Sequence, residues 1–443
     1  MKKNEIPRFF GRKIKQLFFR IVHIPRNSKE MFLNMDKRIL VLLIVYFLQG
    51  IINNLGHPVT PALVTSAGIP DRMFGVFFSM MSLGLVVGGP IWGILGDTWR
   101  KETFVLIGLL IYSVGQILFG FVDDMYWKVV FRFMSGFGVS AAITLMLSHL
   151  IALSDEGSRA KNIAKSVALM GLGSSIGYLL GGEMNVSAFM IRIFRTDLYH
   201  NIFLIQGILN AILAVGLFYI FRAQVVKVPK GKSEQTKRKS FIIGLKNIND
   251  LSFNLILFLF SITLISIGAI NVSKYLEVYF NELGYQPDFI GRYVFLTGIV
   301  SIITSIFIVP LILKINRDFK VMIIAQGISA VIIFIIFRVS NLLLMLYTVF
   351  MLYVVLKAIF APLEQSYISK HAKNGRYGTM MGIRQSFFAI GMVIGPFVGG
   401  FLYELEPLLV FDFSALMFLL GFLLLLFLEK KVKRELREIK ANS

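Results

Sequence analysis

Along its length the chain alternates between apolar runs of about 20 residues, the length needed to cross a bilayer as a helix, and short polar breaks. Twelve such runs occur, near residues 39–57, 72–96, 103–122, 126–153, 163–184, 201–222, 251–280, 289–313, 321–339, 342–369, 378–404 and 409–428. Each predicts a membrane helix, because only a helix or a closed barrel satisfies its backbone polar groups inside lipid. An even number of spans returns the chain to the face it started from. The longest internal break, 223–250, carries Lys227, Lys230, Lys232, Lys237, Arg238 and Lys239 and divides the spans six and six. The pattern therefore predicts an all-α membrane protein of two six-helix bundles, 39–222 and 251–428. A basic linker at 223–250 joins them, and basic ends flank them at 1–38 and 429–443.

Within the first segment, Phe10, Ile14, Leu17, Phe18 and Ile21 share one helical face, and Arg8, Arg12, Lys13, Lys15 and Arg20 the other. That suits a helix lying on the inner leaflet, although a basic tail without fixed structure is the plain alternative. The segment is too charged to be a cleavable signal.

Glycine spacing adds a second layer. Span two carries Gly84, Gly88, Gly89, Gly93 and Gly96, then ends in Asp97, Arg100 and Lys101. Small residues at helical spacing let backbones approach closely in lipid. Spans five and eleven repeat one arrangement. Gly173, Gly177, Gly181 and Gly182 in the first match Gly391, Gly395, Gly399 and Gly400 in the second. Matched runs at equivalent places in two halves are the mark of a duplicated unit, common among secondary transporters.

Composition agrees with a polytopic membrane protein: 56% hydrophobic, 16% charged, with a mean hydropathy of +0.73. The net charge of +21 raises nucleic acid as a partner, but its placement argues otherwise. Most Lys and Arg fall in the breaks on one side of the membrane. Arg72, Lys128, Arg192, Arg195, Arg292 and Arg338 lie near the other face, and Arg132, Lys274, Lys357 and Arg384 inside spans. That asymmetry places both termini in the cytoplasm, with the basic excess facing anionic inner-leaflet lipid. The chain has no cysteine, so disulfides and thiolate metal sites are excluded.

Together these residues resemble the major facilitator superfamily over nearly all of 39–428. Gly93-Ile-Leu-Gly-Asp97 matches the first half of that family's motif between spans two and three. Thr98 and Arg100 depart from its second half. A weaker second copy stands at Asn316-Arg317-Asp318-Phe319-Lys320. Arg132-Phe-Met-Ser-Gly136-Phe-Gly138 looks like the R-xxx-G-x-G pattern of span four. The span-five run is similar to the G-xxx-GP-xx-GG pattern of the twelve-helix drug:proton antiporter branch, with Tyr178 in the proline position and Pro396 there in span eleven. The resemblance implies a major facilitator fold and a role in proton coupling for Arg132. It also implies that Asp97, with Arg100 beside it, helps latch the cytoplasmic helix ends in the outward-open state.

Ionisable groups at membrane depth are costly and normally face a bundle interior or a wet cavity. The candidates for a substrate or proton path are Arg132, Lys274, Glu277, Lys357, Glu364 and Asn54. Lys274 and Glu277 are three residues apart and can pair with each other. Glu364 follows Lys357 by seven residues on the same helical face, with Pro362 between them, and Arg384 is at a matching depth to pair with Glu364. The partner carboxylate for Arg132 is expected among Glu183, Asp123 and Asp124. Gly93, Gly177, Gly181, Gly395 and Pro396 are the expected packing and gating positions. Four intramembrane bases against two clear acids point to an anionic, zwitterionic or neutral amphipathic substrate.

Other chemistries have little support. There is no phosphate-binding loop for ATP, and the five histidines lack metal-ligand spacing. No soluble domain houses catalysis. The chain is expected to be a monomeric secondary transporter and not an enzyme. It needs no cofactor or metal and binds no nucleic acid. It would export a small or amphipathic solute across a bacterial plasma membrane, coupled to protons, by alternating access. Uptake of an anionic nutrient, flipping of an amphipathic lipid, and a non-transporting sensor or scaffold are the alternatives.

Overall fold

The computed structural model describes residues 36–187, 191–192, 198–224, 251–314, 317–370 and 377–442. The expected surface helix within 1–38 and nearly all of the linker at 223–250 lie outside those residues. Twelve helical segments are long and apolar enough to cross a membrane. In the first half they are α1 (Lys37–Asn54), α3 (Arg72–Thr98), α4 (Lys101–Phe121), α5 (Met125–Leu153), α6 (Glu156–Val186) and α7 (Leu198–Ala223). The second half begins with α8 (Phe253–Glu282) and α9 (Pro287–Ile303), which continues through a π-helical turn into α10 (Val309–Lys314). It continues with α11 (Asp318–Ile336), α12 (Leu342–Tyr347) running into α13 (Val349–Lys370), α14 (Tyr377–Leu405) and α15 (Pro407–Asn442).

Local chemistry explains the element ends. Asp124 accepts from the backbone N–H groups of Tyr126 and Trp127, each at 2.9 Å, and so caps α5. Ser252 caps α8 through Leu255 N–H, and Pro287 opens α9 where no donor is missed. In α10, Pro310 has no N–H to give, and the turn before it widens so that Val309 N–H bonds Thr304 O.

One expectation needs correcting. The first span ends at Asn54, not residue 57. A turn there leads into the short helix α2, Thr60–Ser66, whose first turn holds Pro61. The helix α15 runs without a break to Asn442, through the residues expected as a basic tail from 429.

After an even number of spans, the start of α1 and the end of α15 lie on one face, here the termini face. In the half of the molecule nearer the opposite face, a single hydrophobic cluster crosses between bundles. It takes Phe74, Phe77, Phe119 and Phe203 from the first bundle and Tyr275, Phe280 and Tyr293 from the second. Nearer the termini the first bundle keeps a separate cluster around Leu42, Leu109, Leu145 and Leu217. The bundles thus share a core at one end.

The matched glycine runs make that shared end possible. Gly173, Gly177 and Gly181 of α6 press on the α1 backbone at Phe47, Ile51 and Leu55. Their counterparts Gly391, Gly395 and Gly399 of α14 face Ser266, Ile267 and Asn271 of α8. The last glycine of each run turns to the other bundle: Gly182 meets Pro287 O of α9, and Gly400 meets Arg72 O of α3. Gly291 and Gly75 return the contact, against Tyr178 O and Pro396 O respectively. A side chain at any of these four would strike main chain.

Candidate functional site

Four ties reinforce that seam. Arg72 Nη1 lies 2.9 Å from a Glu404 oxygen, and Arg292 holds Glu183 in a bidentate pair. Asn281 donates to Thr65 Oγ1 at 3.0 Å, and Ser79 to Val393 O at 2.7 Å. Tyr275 Oη donates to Pro396 O at 2.8 Å, serving a carbonyl at the point where Pro396 interrupts the α14 ladder. Nearer the termini the helices part. A Cβ at Gly171 of α6 or Gly382 of α14 would meet nothing within 4 Å. Gly93, expected to be a tight packing point, is not one here: a Cβ there would touch only Thr144, at an ordinary 3.6 Å.

Below the seam lies a cavity of about 570 Å³, walled by α8, α9, α13 and, from the first bundle, Tyr178. Its volume suits a drug-sized molecule. Apolar walls come from Val294, Val309, Phe350 and Val354, and α9 adds Thr297, Ser301 and Ser305 at four-residue spacing. Thr297 and Ser305 donate to carbonyls of their own helix, each at 2.8 Å, so they offer acceptors to the cavity.

Charge enters at two points. Lys274 Nζ lies 3.1 Å from Glu277 Oε1, the i,i+3 pair the spacing allows. Tyr178 Oη accepts from Lys274 at 2.7 Å and donates to Glu277 at 2.9 Å. His57 stacks on the Tyr178 ring at 5.4 Å. The Lys274 ammonium also lies 4.8 Å from the Phe78 ring centre. A cation of the second bundle is therefore seated among aromatic groups of the first. Lys357, one turn beyond Tyr353 on α13, donates to Ser273 Oγ at 3.0 Å. Beside it, a smaller pocket of about 90 Å³ holds the ion pair of Arg384 with Glu364.

The other sequence candidates fall elsewhere. Arg132 does not line the large cavity. Its guanidinium lies 3.6 Å from the Phe119 ring centre and 3.4 Å from Thr60 Oγ1, in a closed niche with His57, Phe78 and Met81. None of its expected carboxylate partners is with it. Glu183 is held by Arg292, Asp124 caps α5, and Asp123 is an exposed residue in the turn before that cap. The quadrupole of Phe119 takes the place of a counter-ion. Asn54 ties α1 to α6, donating to Ser174 Oγ at 3.0 Å. Asp97 and Arg100 sit at the exposed turn between α3 and α4 on the termini face. Gly177, Gly181 and Gly395 pack within their own bundles, whereas Pro396 sits at the seam. Sequence reasoning missed Tyr178 and the α9 hydroxyls as cavity groups. The tyrosine in place of a motif proline was the available signal.

The sequence model described as Major Facilitator Superfamily matches residues 42–286 and 251–442. The chain belongs to that superfamily, and is a multi-pass membrane transporter, not an enzyme. Among curated proteins it is 22% identical over 413 residues to Multidrug resistance protein 2 of Bacillus subtilis (strain 168), covering 90% of this chain and 97% of that one. It is 21% identical over 383 residues to Quinolone resistance protein NorA of Staphylococcus aureus (strain MSSA476), covering 84% and 91%. Among solved structures, a bacterial homolog of the human lysosomal transporter Spinster, inward-facing and occupied, overlays with a TM-score of 0.71 at 12% identity, covering 88% of this chain and 96% of that one. FucP in its outward conformation overlays with a TM-score of 0.58 at 16% identity, covering 88% and 98%.

Proposed function

We propose that this transporter is a proton-coupled exporter of amphipathic small molecules, working by alternating access with its termini in the cytoplasm of a bacterium. The observation that carries the reading is the cavity of about 570 Å³ beneath a sealed opposite face, with the bundles parted toward the termini. Relatives of comparable length named for multidrug and quinolone resistance support export, and the bias of Lys and Arg toward the termini face supports the orientation.

Glu277 is the proton carrier in this reading. As a carboxylate it holds Lys274 and accepts from Tyr178, so it ties the cavity floor to the first bundle. Protonation removes its charge, loosens Lys274 and weakens the tie, favouring separation of the bundles at the seam. Only a proton bound unequally by the two states can drive such a change. Substrate enters from the termini side, the bundles rock, and the cavity opens to the other face, where substrate leaves and Glu277 takes up a proton. The protonated carrier returns and gives that proton to the termini side as the charged carboxylate re-forms its tie.

The test is flux in proteoliposomes under an imposed pH gradient, with a panel of amphipathic dyes bearing positive, negative or no charge. At least one dye should accumulate only while the gradient lasts. Glu277→Gln should abolish that accumulation yet keep dye-for-dye exchange. Flux indifferent to the gradient, or a fully active Glu277→Gln protein, overturns the reading. Movement driven the opposite way would favour uptake.

A further inference from the structure

The charges around the two cavities do not balance. Lys274 is paired with Glu277, and Arg384 with Glu364. Lys357, which lines both cavities, is the single uncompensated charge among their described lining residues. Of its three donors the ammonium places one, on the neutral Ser273 Oγ at 3.0 Å. One turn earlier on the same face, Tyr353 is 3% exposed, and its hydroxyl has no hydrogen-bond partner. A buried hydroxyl without a partner is costly, and the ammonium is exposed to the cavity with no carboxylate beside it. Lys357 at the wall and Tyr353 one turn behind it, both among the lining residues of both cavities, are together the complement of an acceptor that is missing from the protein itself. The nearby α9 hydroxyls do not compete with them, because Thr297 and Ser305 give their protons to their own helix.

We infer that the cavity takes an amphiphile with an acidic head, a carboxylate or phosphate bound by Lys357 and Tyr353, with its apolar body along Val294, Phe350 and Val354. The inference rests on the transport reading above and narrows its substrate. An acid head satisfies the ammonium and the phenol together through charge-assisted hydrogen bonds. A cationic head would face Lys357 and the nearby Lys274 with no free carboxylate to receive it. The volume fits a drug-sized acid.

The experiment is calorimetric titration of the full chain in phosphatidylcholine nanodiscs with three probes of one frame: 2-naphthoate, 2-naphthamide and 2-naphthylmethylammonium. Naphthoate should bind about tenfold or more tighter than the amide, the size of one hydrogen bond to a charged group. The ammonium should bind weakest. Lys357→Met should erase the preference for the acid, bringing naphthoate down to the level of the amide. Lys357→Arg should retain much of it, and Tyr353→Phe should lower it severalfold. Lipid retained by the purified protein separates the two sources of an acid head. Phosphatidylglycerol held by the wild type and lost from Lys357→Met supports the site with a lipid occupant. Its absence alongside bound naphthoate supports a soluble acid.

The inference is overturned by equal binding of amide or ammonium in the wild type, by a preference that survives Lys357→Met, or by no binding of any probe. These outcomes are independent of proton coupling. Gradient-driven flux of dyes without an acid preference would sink this inference alone. An acid preference without gradient-driven flux would sink the exporter reading alone.

Discussion

Replacing Tyr178 by phenylalanine removes one oxygen and keeps the ring. That oxygen is the part of the side chain that hydrogen-bonds the charges of the other bundle, whereas the ring, its centre 5.4 Å from Lys274 Nζ, is retained. It accepts from Lys274 at 2.7 Å and donates to Glu277 at 2.9 Å, and the residue is 7% exposed. A hydrogen bond to a charged group contributes about 1.5–3 kcal/mol net of the water bonds it replaces. Two bonds are lost, but Lys274 and Glu277 remain paired at 3.1 Å, so neither charge is stranded. The expected cost to the state closed at the opposite face is therefore that of one such bond, about 1.5–3 kcal/mol. That shifts the equilibrium toward opening by about 10- to 150-fold. The chain has no cysteine, so spin labels attach only where cysteines are introduced. Labels on exposed Ser66 and Leu283 would report separation across the seam by pulsed electron resonance. Tyr178→Phe should move population to the longer distance. In a Lys274→Met, Glu277→Gln background the same change should move nothing. An unaltered distance distribution in the single variant, or an equal shift in the triple one, would refute the bridge.

Three further outcomes are expected. Gly182→Ala sets a methyl against Pro287 O and Asp288 Cα, both main chain, so it should favour the state parted at the seam, read by the same labels; an unmoved distribution counts against the packing argument. Glu364→Gln strands Arg384, whose pair is 13% and 4% exposed on its two sides. Breaking a buried pair costs about 3–5 kcal/mol, so Tm in detergent should fall clearly, and the double change with Arg384→Gln should fall less than either alone; additive losses would show that the pair is not coupled. At the opposite face, burial raises the Asp71 carboxyl above its ordinary 3.8, and nearby Glu282 and Glu404 raise it further. The folded chain then holds that proton more tightly than the unfolded one, so this group's penalty is full at neutral pH and fades as pH falls through the raised value towards 3.8. Asp71→Asn should raise Tm at pH 7 and reduce the gain on acidification; an unchanged pH profile would remove Asp71 from the account.

Legibility in the sequence followed the range of the interaction. Spans were readable because hydropathy over about 20 residues is a local property. Lys274 with Glu277 was readable because i,i+3 neighbours meet on any helix. Glu364 with Arg384 could be matched because both sit at one depth on neighbouring stretches of chain. Tyr178 was not readable, since its partners belong to the other bundle and no local rule carries a side chain across that gap. The α9 hydroxyls were hidden for a different reason: in an apolar span, scattered Ser and Thr commonly bond their own helix, as Thr297 and Ser305 do. For Arg132 the sequence suggests a carboxylate, whereas its partner is an aromatic face, the Phe119 ring, which no charge pattern marks. The end of the first span was misplaced because Pro58 and Pro61 were counted as lying beyond a helix that had already stopped at Asn54.

The four glycines that close the opposite face leave a seal of main chain on main chain. The glycine contacts have no ionisable group to titrate and no rotamer to adjust, so acid and salt act on this seam only through the ion pairs beside them, Arg72 with Glu404 and Arg292 with Glu183. It can only come apart as a rigid unit. In the proposed cycle the ions beneath it would set when the stroke begins, while the glycines fix where it stops.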